Sequence, residues 1–207
     1  MVERTDTRTT RTSGMNTWRA GCGESRTSGS EGGPEKPTHR KMGRALRSDP
    51  YTEHPTREGK LYLCVFKDLW SNRIVGYSMS DRMTAQLAVS ALRNAAGLRN
   101  ATATIVHTDR GSQFRANAFV SALRDLGLVG SMGRVGACGD NAAVESFFSL
   151  LQKNVLDRQR WATRVELRIA ITTWIERTYH RRRRQRRLGR LTPIEFETLH
   201  TPAANAA

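Results

Sequence analysis

Two carboxylates in the middle of the chain have the setting that metal-dependent phosphoryl transfer requires. Asp109 follows a short apolar run that predicts a strand, and Glu145 comes 36 positions later, in the first turns of a predicted helix. Strand ends and helices hold side chains rigidly, and carboxylates placed there can bind two divalent cations about 3.5–4 Å apart. Asn141 lies four residues before Glu145 and therefore on the same helical face. Alone, each carboxylate could equally be a turn residue or a helix-dipole partner, so the pair carries the prediction.

The elements predicted around these carboxylates follow the order hairpin, helix, strand, helix, strand, helix, helix. Apolar runs, turn residues and caps give their positions. The two hairpin strands are predicted at 61–66 and 73–79, and a helix begins after Thr84. Two further strands are predicted at 104–107 and 128–132, with a helix through Phe119 between them. A helix through Val144 and Leu151 follows, and the last helix begins at Thr163. This alternation predicts an α/β fold with a mixed sheet.

The composition indicates a polyanionic partner. The 207 residues include 34 Lys and Arg against 19 Asp and Glu, a net charge of +15. A basic surface gains free energy by releasing counterions from phosphates, so nucleic acid is the first expectation, although a basic tail alone could also carry this charge. Three scattered cysteines without a CxxC pair fit a reducing compartment. Without an apolar run of roughly 18 residues, we expect a cytoplasmic protein that contacts no membrane and takes no small-molecule substrate.

The composition also divides the chain. Residues 1–48 are rich in Thr, Arg, Gly and Ser and hold no Ile, Phe or Tyr. Such a segment buries too little apolar surface to offset its loss of conformational entropy. We therefore predict that residues 1–48 are disordered, that residues 49–198 form the folded core, and that residues 199–207 are a short flexible tail.

Two motifs carry a resemblance to a known family. The first is His-Thr-Asp-Arg-Gly-Ser-Gln-Phe at 107–114, and the second is Cys-Gly-Asp-Asn-Ala-Ala-Val-Glu-Ser-Phe-Phe at 138–148. Both are similar to motifs of the integrase-type catalytic core of bacterial insertion-sequence transposases. In that family 35 residues separate the second Asp from the Glu, as they separate Asp109 from Glu145 here. The segments at 68–76 and 188–197 also match.

The resemblance implies a ribonuclease-H-like fold, a five-stranded mixed sheet flanked by helices. It implies DNA cleavage and strand transfer, in which a metal-activated water or a 3′ hydroxyl attacks a phosphodiester. The implied cofactors are two Mg²⁺ (or Mn²⁺) ions, with Asp109 and Glu145 as catalytic metal ligands. The implied partners are transposon ends and target DNA, with self-association on DNA in the nucleoid of a bacterial cytoplasm.

The third carboxylate of that family lies on its first strand, in a pattern like Asp-Ile-Thr-Glu-His-Pro-Thr. This chain reads Ser-Asp-Pro-Tyr-Thr-Glu-His-Pro-Thr at 48–56. An alignment without a gap places Pro50 at the catalytic position. Asp49 takes that position only if one residue is inserted. Such a one-residue shift turns the side chain to the other face of the sheet unless a β-bulge absorbs the extra residue. Asp49 is the candidate third catalytic and metal-binding residue. Asp68 is expected to be structural, because it follows a strand at a turn where the family keeps such an Asp.

Upstream of Ser48 none of the family's usual patterns is recognisable. This abrupt loss suggests that residues 1–48 come from an altered reading frame, in an N-terminally truncated or frameshifted copy of a transposase gene. Three interpretations stay open: a transposase catalytic core, a catalytically impaired DNA-binding remnant, and a cellular ribonuclease-H-type nuclease. The segment 188–197 weakens the last of these, because it matches transposases.

An Arg-rich run follows the last predicted helix. Six of the seven residues at 181–187 are Arg, and the guanidinium group suits bidentate contacts to phosphate. The helix before the run and the transposase-like segment after it favour a phosphate-facing loop over a solvated basic tail. The candidate DNA contacts are Asn141, Arg181, Arg182, Arg183, Arg184, Arg186 and Arg187.

Overall fold

The structure is a computed structural model that describes residues 17–21, 52–99, 104–109, 111–132 and 142–200. Its strands are β1 Thr17–Gly21, β2 Thr52–Thr56, β3 Gly59–Asp68, β4 Ile74–Ser80, β5 Ile105–Thr108 and β6 Val129–Met132. Its α-helices are α1 Ala85–Leu98, α2 Ser112–Arg115, α3 Asn117–Asp125, α4 Ala142–Asn154, α5 Arg164–Thr173 and α6 Pro193–His200. A π-helix at Trp174–Tyr179 continues α5, and 3₁₀ turns lie at Leu156–Arg158 and Arg186–Leu188.

A mixed sheet forms the centre of the fold. β4 pairs antiparallel with one edge of β3. β1 and β2 pair antiparallel with successive parts of the other edge, because Gly21 lies opposite Val65 and Thr52 lies opposite Leu63. β1 and β2 therefore form one interrupted row, and β5 and β6 continue the sheet in parallel beyond β1. The described strands thus form five rows, as the predicted five-stranded mixed sheet requires.

The two faces of the sheet are covered by different helices. Because side chains alternate along a strand, each strand contributes to both faces. On one face, α1 and α3 cover a core that includes Phe66 and Val106; we call this the α1 face. On the other, α4, α5 and the π-helix cover a core that includes Val65 and Ile74; we call this the α4 face. Within the described ranges, no helix is long and apolar enough to cross a membrane.

Most predicted elements are found close to their predicted positions. Thr84 caps α1, its Oγ1 accepting from the Leu87 N–H at 3.4 Å, and Thr163 caps α5, its Oγ1 accepting from the Glu166 N–H at 3.0 Å. The single helix predicted after Asp109 is instead two, α2 and α3, because the backbone is extended at Ala116. The last predicted helix passes into the π-helix, and α6 was not predicted.

β1 lies inside the segment for which the composition predicted disorder, so that prediction is wrong for Thr17–Gly21. The physical reason is that β1 pairs with β3 on one side and β5 on the other. Backbone hydrogen bonds on both edges can hold a strand whose own composition predicts little burial. The other residues of 1–48 lie outside the described ranges. At the far end, α6 continues to His200, two residues past the predicted end of the core.

Candidate metal site and basic pocket

Asp109 directly follows β5, at the carboxyl end of the strand. Along β5, Val106 packs into the core of the α1 face, and Thr108 lines an apolar cavity on that same face. Alternation therefore places His107 and Asp109 on the α4 face. Asp109 is half-buried, and its Oδ1 accepts a hydrogen bond from the N–H of Gly111 at 2.8 Å, which fixes the orientation of the carboxylate.

Glu145 lies in the first turn of α4 and is also half-buried. Its neighbours Val144, Phe147 and Phe148 are buried in the core of the α4 face, so their packing sets how the helix is rotated about its axis. α4 also contacts β1, the strand beside β5. The structure therefore brings Asp109 and Glu145 to the same face of the sheet. Two carboxylates there supply the oxygen ligands that Mg²⁺ prefers.

The third carboxylate is not among the described residues. The register of β1 on β5, continued by two residues, brings Gly21 beside Asp109, and β1 contains no carboxylate. In the part of the chain that the structure describes, no three His, Cys, Asp or Glu side chains are grouped to hold a metal ion. Asp49, the predicted third ligand, and Asn141, a predicted DNA contact, lie outside the described residues. Asp109, Glu145 and Asp49 therefore all stay predictions as metal ligands, and the first two lie on one face of the sheet.

Asp68 has the structural role that the sequence predicted. Its Oδ2 accepts from the Ser71 hydroxyl at 3.1 Å and from Arg99 at 3.5 Å. Glu197, on α6, in turn accepts hydrogen bonds from Arg99 and, at 2.7 Å, from Arg73. We call these five side chains the ion cluster. It joins the β3–β4 turn to the end of α1 and to α6, and its carboxylates are occupied by these contacts.

The Arg-rich run forms a closed loop directly after the π-helix. Two N–H groups of the 181–187 run donate to the carbonyl of Thr178, at 3.1 and 2.8 Å. The N–H of Gln185 donates to the carbonyl of Leu191 at 2.9 Å, and Gly189, with φ of 66°, turns the chain between them. All six Arg side chains are exposed. The run is therefore a loop with a fixed backbone, which we call the Arg loop, rather than an unstructured tail.

The Arg loop borders a cavity of about 510 Å³ beside the first turns of α4, which we call the basic pocket. Its floor includes Lys67 of β3, which is only 4% exposed and donates from Nζ to the carbonyl of Ala143 at 2.8 Å. Burial, together with the nearby Arg187 and Arg183, lowers the pKa of Lys67 to about 8. The described residues that line the pocket are Lys67, Asn72, Ala143, Ser146, Leu150, Tyr179, Arg183, Arg184, Gln185, Arg186 and Arg187. Lys67 was not among the residues predicted from the sequence, where its signal is a cation at the end of an apolar strand.

Comparison with known proteins gives concordant results. One model of the integrase core domain family matches residues 41–138, and a second integrase core domain model matches residues 126–193. Transposase InsF for insertion sequence IS3A of Escherichia coli (strain K12) is 44% identical over 143 residues, which cover 69% of this chain and 50% of InsF. The transposase for insertion sequence element IS904 of Lactococcus lactis is 39% identical over 144 residues, 69% of this chain and 57% of that protein. The chain thus spans about half the length of these relatives.

Solved structures share the fold at low identity. The catalytic core domain of HTLV-2 integrase, in complex with magnesium in a trimeric form, aligns with a TM-score of 0.55 at 17% identity, over 87% of this chain and 95% of that one. A dimeric form of the same domain gives a TM-score of 0.53. A chain of the simian T-cell lymphotropic virus intasome, in complex with PP2A regulatory subunit B56 gamma, gives 0.58 at 16% identity, over 92% of this chain and 56% of that one. The predicted ribonuclease-H-like fold is confirmed.

Proposed function

Because the chain belongs to the integrase-core family of bacterial insertion-sequence transposases, we propose that it is a transposase catalytic core that cleaves DNA and transfers the cut strand. The observation that carries the proposal is the placement of Asp109 at the end of β5 and of Glu145 in the first turn of α4, on one face of the sheet. This placement fits phosphoryl transfer, in which the protein contributes positioning and metal ligands more than covalent chemistry.

Two Mg²⁺ (or Mn²⁺) ions are the proposed cofactors, held by Asp109, Glu145 and Asp49. Such ions lower the pKa of a bound water or hydroxyl and stabilise the charge that develops on the phosphate. The Gly111 N–H, which holds Asp109 Oδ1 at 2.8 Å, would keep that carboxylate oriented for a cation. The magnesium in the HTLV-2 integrase core is consistent with this assignment.

DNA is the proposed partner, as transposon ends and as target. The net charge of +15 and the six exposed guanidinium groups of the Arg loop support it. We further propose self-association on DNA and a place in the bacterial nucleoid. The trimeric and dimeric forms of the HTLV-2 core are consistent with self-association.

The metal site can be tested by removing one carboxylate at a time. Asp109→Asn and Glu145→Gln should each weaken Mn²⁺ binding in isothermal titration and lower Mg²⁺-dependent cleavage of a transposon-end duplex by orders of magnitude. Both variants should keep the unfolding temperature of the parent chain, because each replacement has the same shape. Asp125→Asn, on the exposed side of α3, is the matched control. Unchanged metal affinity in both site variants would show that the site is wrong.

A second candidate function is a DNA-binding remnant without catalysis. The observation that favours it is that β1, beside Asp109, contains no carboxylate. A chain that binds DNA but cleaves it with neither Mg²⁺ nor Mn²⁺ would support the remnant. In that case Gly21→Asp, which adds a carboxylate beside Asp109, should raise Mn²⁺ affinity. If instead the parent chain cleaves DNA and Asp49→Asn abolishes cleavage, Asp49 completes the site and the remnant is excluded.

A further inference from the structure

We propose that the basic pocket binds a phosphate group through Lys67, Arg183, Arg187 and Gln185. This inference deepens the proposed function. It rests on that function only where it takes DNA to be the source of the phosphate. It adds two residues, Lys67 and Gln185, that neither the sequence motifs nor the comparisons with known proteins single out.

The pocket contains hydrogen-bond donors that lack acceptors. The ammonium group of Lys67 carries three protons, and the contact to the carbonyl of Ala143 uses one of them. Gln185 is oriented by Asn72, whose Nδ2 donates to Gln185 Oε1 at 3.1 Å. This leaves Gln185 Nε2 buried and without a hydrogen-bond partner among the described residues. A buried donor without a partner is unfavourable, so the site favours a ligand that accepts hydrogen bonds.

Tyr179, on the wall of the pocket, lies close to the Gln185 amide. Burial raises the pKa of Tyr179 to about 12, and the Gln185 amide offsets this only in part, so the hydroxyl stays protonated. That hydroxyl donates to the carbonyl of Asn72 at 3.1 Å. Asn72 thus ties both Tyr179 and Gln185 to the β3–β4 turn, and the wall of the pocket is preorganised.

The charges in the pocket all have one sign. Five of its lining residues are cationic, and none of those that the structure describes is acidic. Among the described residues, Glu195 pairs with one of these cations, Arg184, at 3.9 Å on the exposed rim. A buried ammonium beside two guanidinium groups is unfavourable in the free protein, as the lowered pKa of Lys67 shows. A bound anion would offset this repulsion.

The geometry favours phosphate over a carboxylate. Lys67 lies at the floor, Gln185 in the wall and Arg183 and Arg187 in the exposed loop, so the donors surround the ligand from several sides. A tetrahedral oxyanion can accept from all of them at once, and guanidinium groups bind its oxygens in pairs. Ser146 also lines the pocket and directly follows Glu145. A DNA phosphate held here would therefore lie against the helix that carries Glu145, on the same face of the sheet as the proposed metal site.

The first test uses inorganic phosphate as the probe, in EDTA and at constant ionic strength. Phosphate should raise the unfolding temperature of the parent chain, and Lys67→Met should lose about tenfold or more in phosphate affinity. Met is similar in length and removes the buried charge, so the variant should fold. Arg187→Gln, in the exposed loop, is the second variant and should weaken phosphate binding without any risk to the core. Arg93→Met, exposed on α1 across the sheet, loses the same charge and should bind phosphate normally.

A competition with duplex DNA identifies the source of the phosphate. If the duplex displaces inorganic phosphate, and Lys67→Met weakens DNA binding while Arg93→Met does not, the pocket holds a backbone phosphate. If DNA binding ignores Lys67 but phosphate binding requires it, the ligand is free phosphate; both results support the site. Equal phosphate affinity in the parent chain, Lys67→Met and Arg187→Gln would overturn it. EDTA removes divalent metal ions, so the result of the phosphate test does not depend on metal binding by Asp109 and Glu145. Failure of one proposal can therefore be told apart from failure of the other.

Discussion

Glu197 takes no part in the proposed chemistry, yet it is one of the few carboxylates buried in the described structure, with 8% of its surface exposed. Burial alone would raise its pKa. The nearby Ser71 hydroxyl and the guanidinium groups of Arg73 and Arg99 outweigh burial and hold the pKa of Glu197 below its ordinary value. The ion cluster therefore keeps this carboxylate charged, and through it α6 is attached to the sheet.

Replacing Glu197 by Gln should destabilise the fold by about 3 kcal/mol, because Arg73 and Arg99 lose the carboxylate between them. Urea unfolding followed by circular dichroism measures this change. Glu53→Gln is the control: Glu53 is half-exposed in its pair with Lys60, where solvent screens the ion pair and little stability should be lost. Equal stability of the two variants would show that the ion cluster contributes little.

The same carboxylate should make stability depend on pH. A Glu whose pKa is lower in the folded chain binds its proton more readily when unfolded, so its stabilisation is present above the ordinary pKa of 4.5. As the pH falls below that value, this contribution should be lost until the folded pKa is passed. Unfolding temperatures between pH 6 and pH 3 should therefore fall more steeply for the parent chain than for Glu197→Gln. Parallel curves would contradict the lowered pKa.

The sequence predicts some of these residues and not others for a physical reason. Asp109, Glu145 and Asp68 lie in local motifs, so their neighbours in the chain reveal them. Lys67 ends a fully buried run, in which no alternation shows the face to which it points. Its partners Ala143 and Arg187 come more than 70 positions later, so only the fold brings the basic pocket together.

Among the elements, those with local signals were the predictable ones. α1 and α5 carry Thr caps, and β3 and β4 carry apolar runs on either side of a turn. The π-helix at Trp174–Tyr179 has no such signal. Its wide turn accompanies the position of His180, whose Nε2 accepts from the N–H of Ile74 at 3.1 Å. The π-helix thus occurs together with a hydrogen bond between residues 106 positions apart, Ile74 and His180, and not with a local sequence signal.

β1 is a strand that the composition did not predict, and its place in the sheet can be tested with a proline. Ala20 lies in the row between β3 and β5, where a proline removes a ladder hydrogen bond and destabilises the sheet. Ala20→Pro should therefore lower the unfolding temperature, whereas Ala20→Val, which suits a strand, should not. Pro55 shows the contrast: it lies in β2, which pairs with β3 alone among the described strands. If Ala20→Pro unfolds like the parent chain, β1 does not hold this row.

For the molecule as a whole, charge and fold combine at one place. The α4 face carries the helix of Glu145, the end of β5 with Asp109, and the basic pocket under the Arg loop. The exposed Arg93 belongs to α1, on the opposite face. Composition alone predicted a polyanionic partner, but it could not indicate on which side of the sheet that partner would lie. The structure favours the α4 face.

DNA affinity should fall steeply with salt, by about 0.9 in log–log slope for each phosphate that the protein neutralises. A double variant, Arg186→Gln with Arg187→Gln, should reduce that slope by about two if both guanidinium groups contact phosphate. The control replaces Arg93 and Arg124 by Gln, both exposed on the helices of the α1 face. Its net charge is therefore the same as that of the Arg186 and Arg187 double variant. Fluorescence anisotropy of a labelled duplex between low and high salt measures the slopes. If the salt slope falls equally in both double variants, net charge rather than the Arg loop governs DNA binding. If the DNA affinity of the parent chain does not change with salt, the protein makes no phosphate contacts.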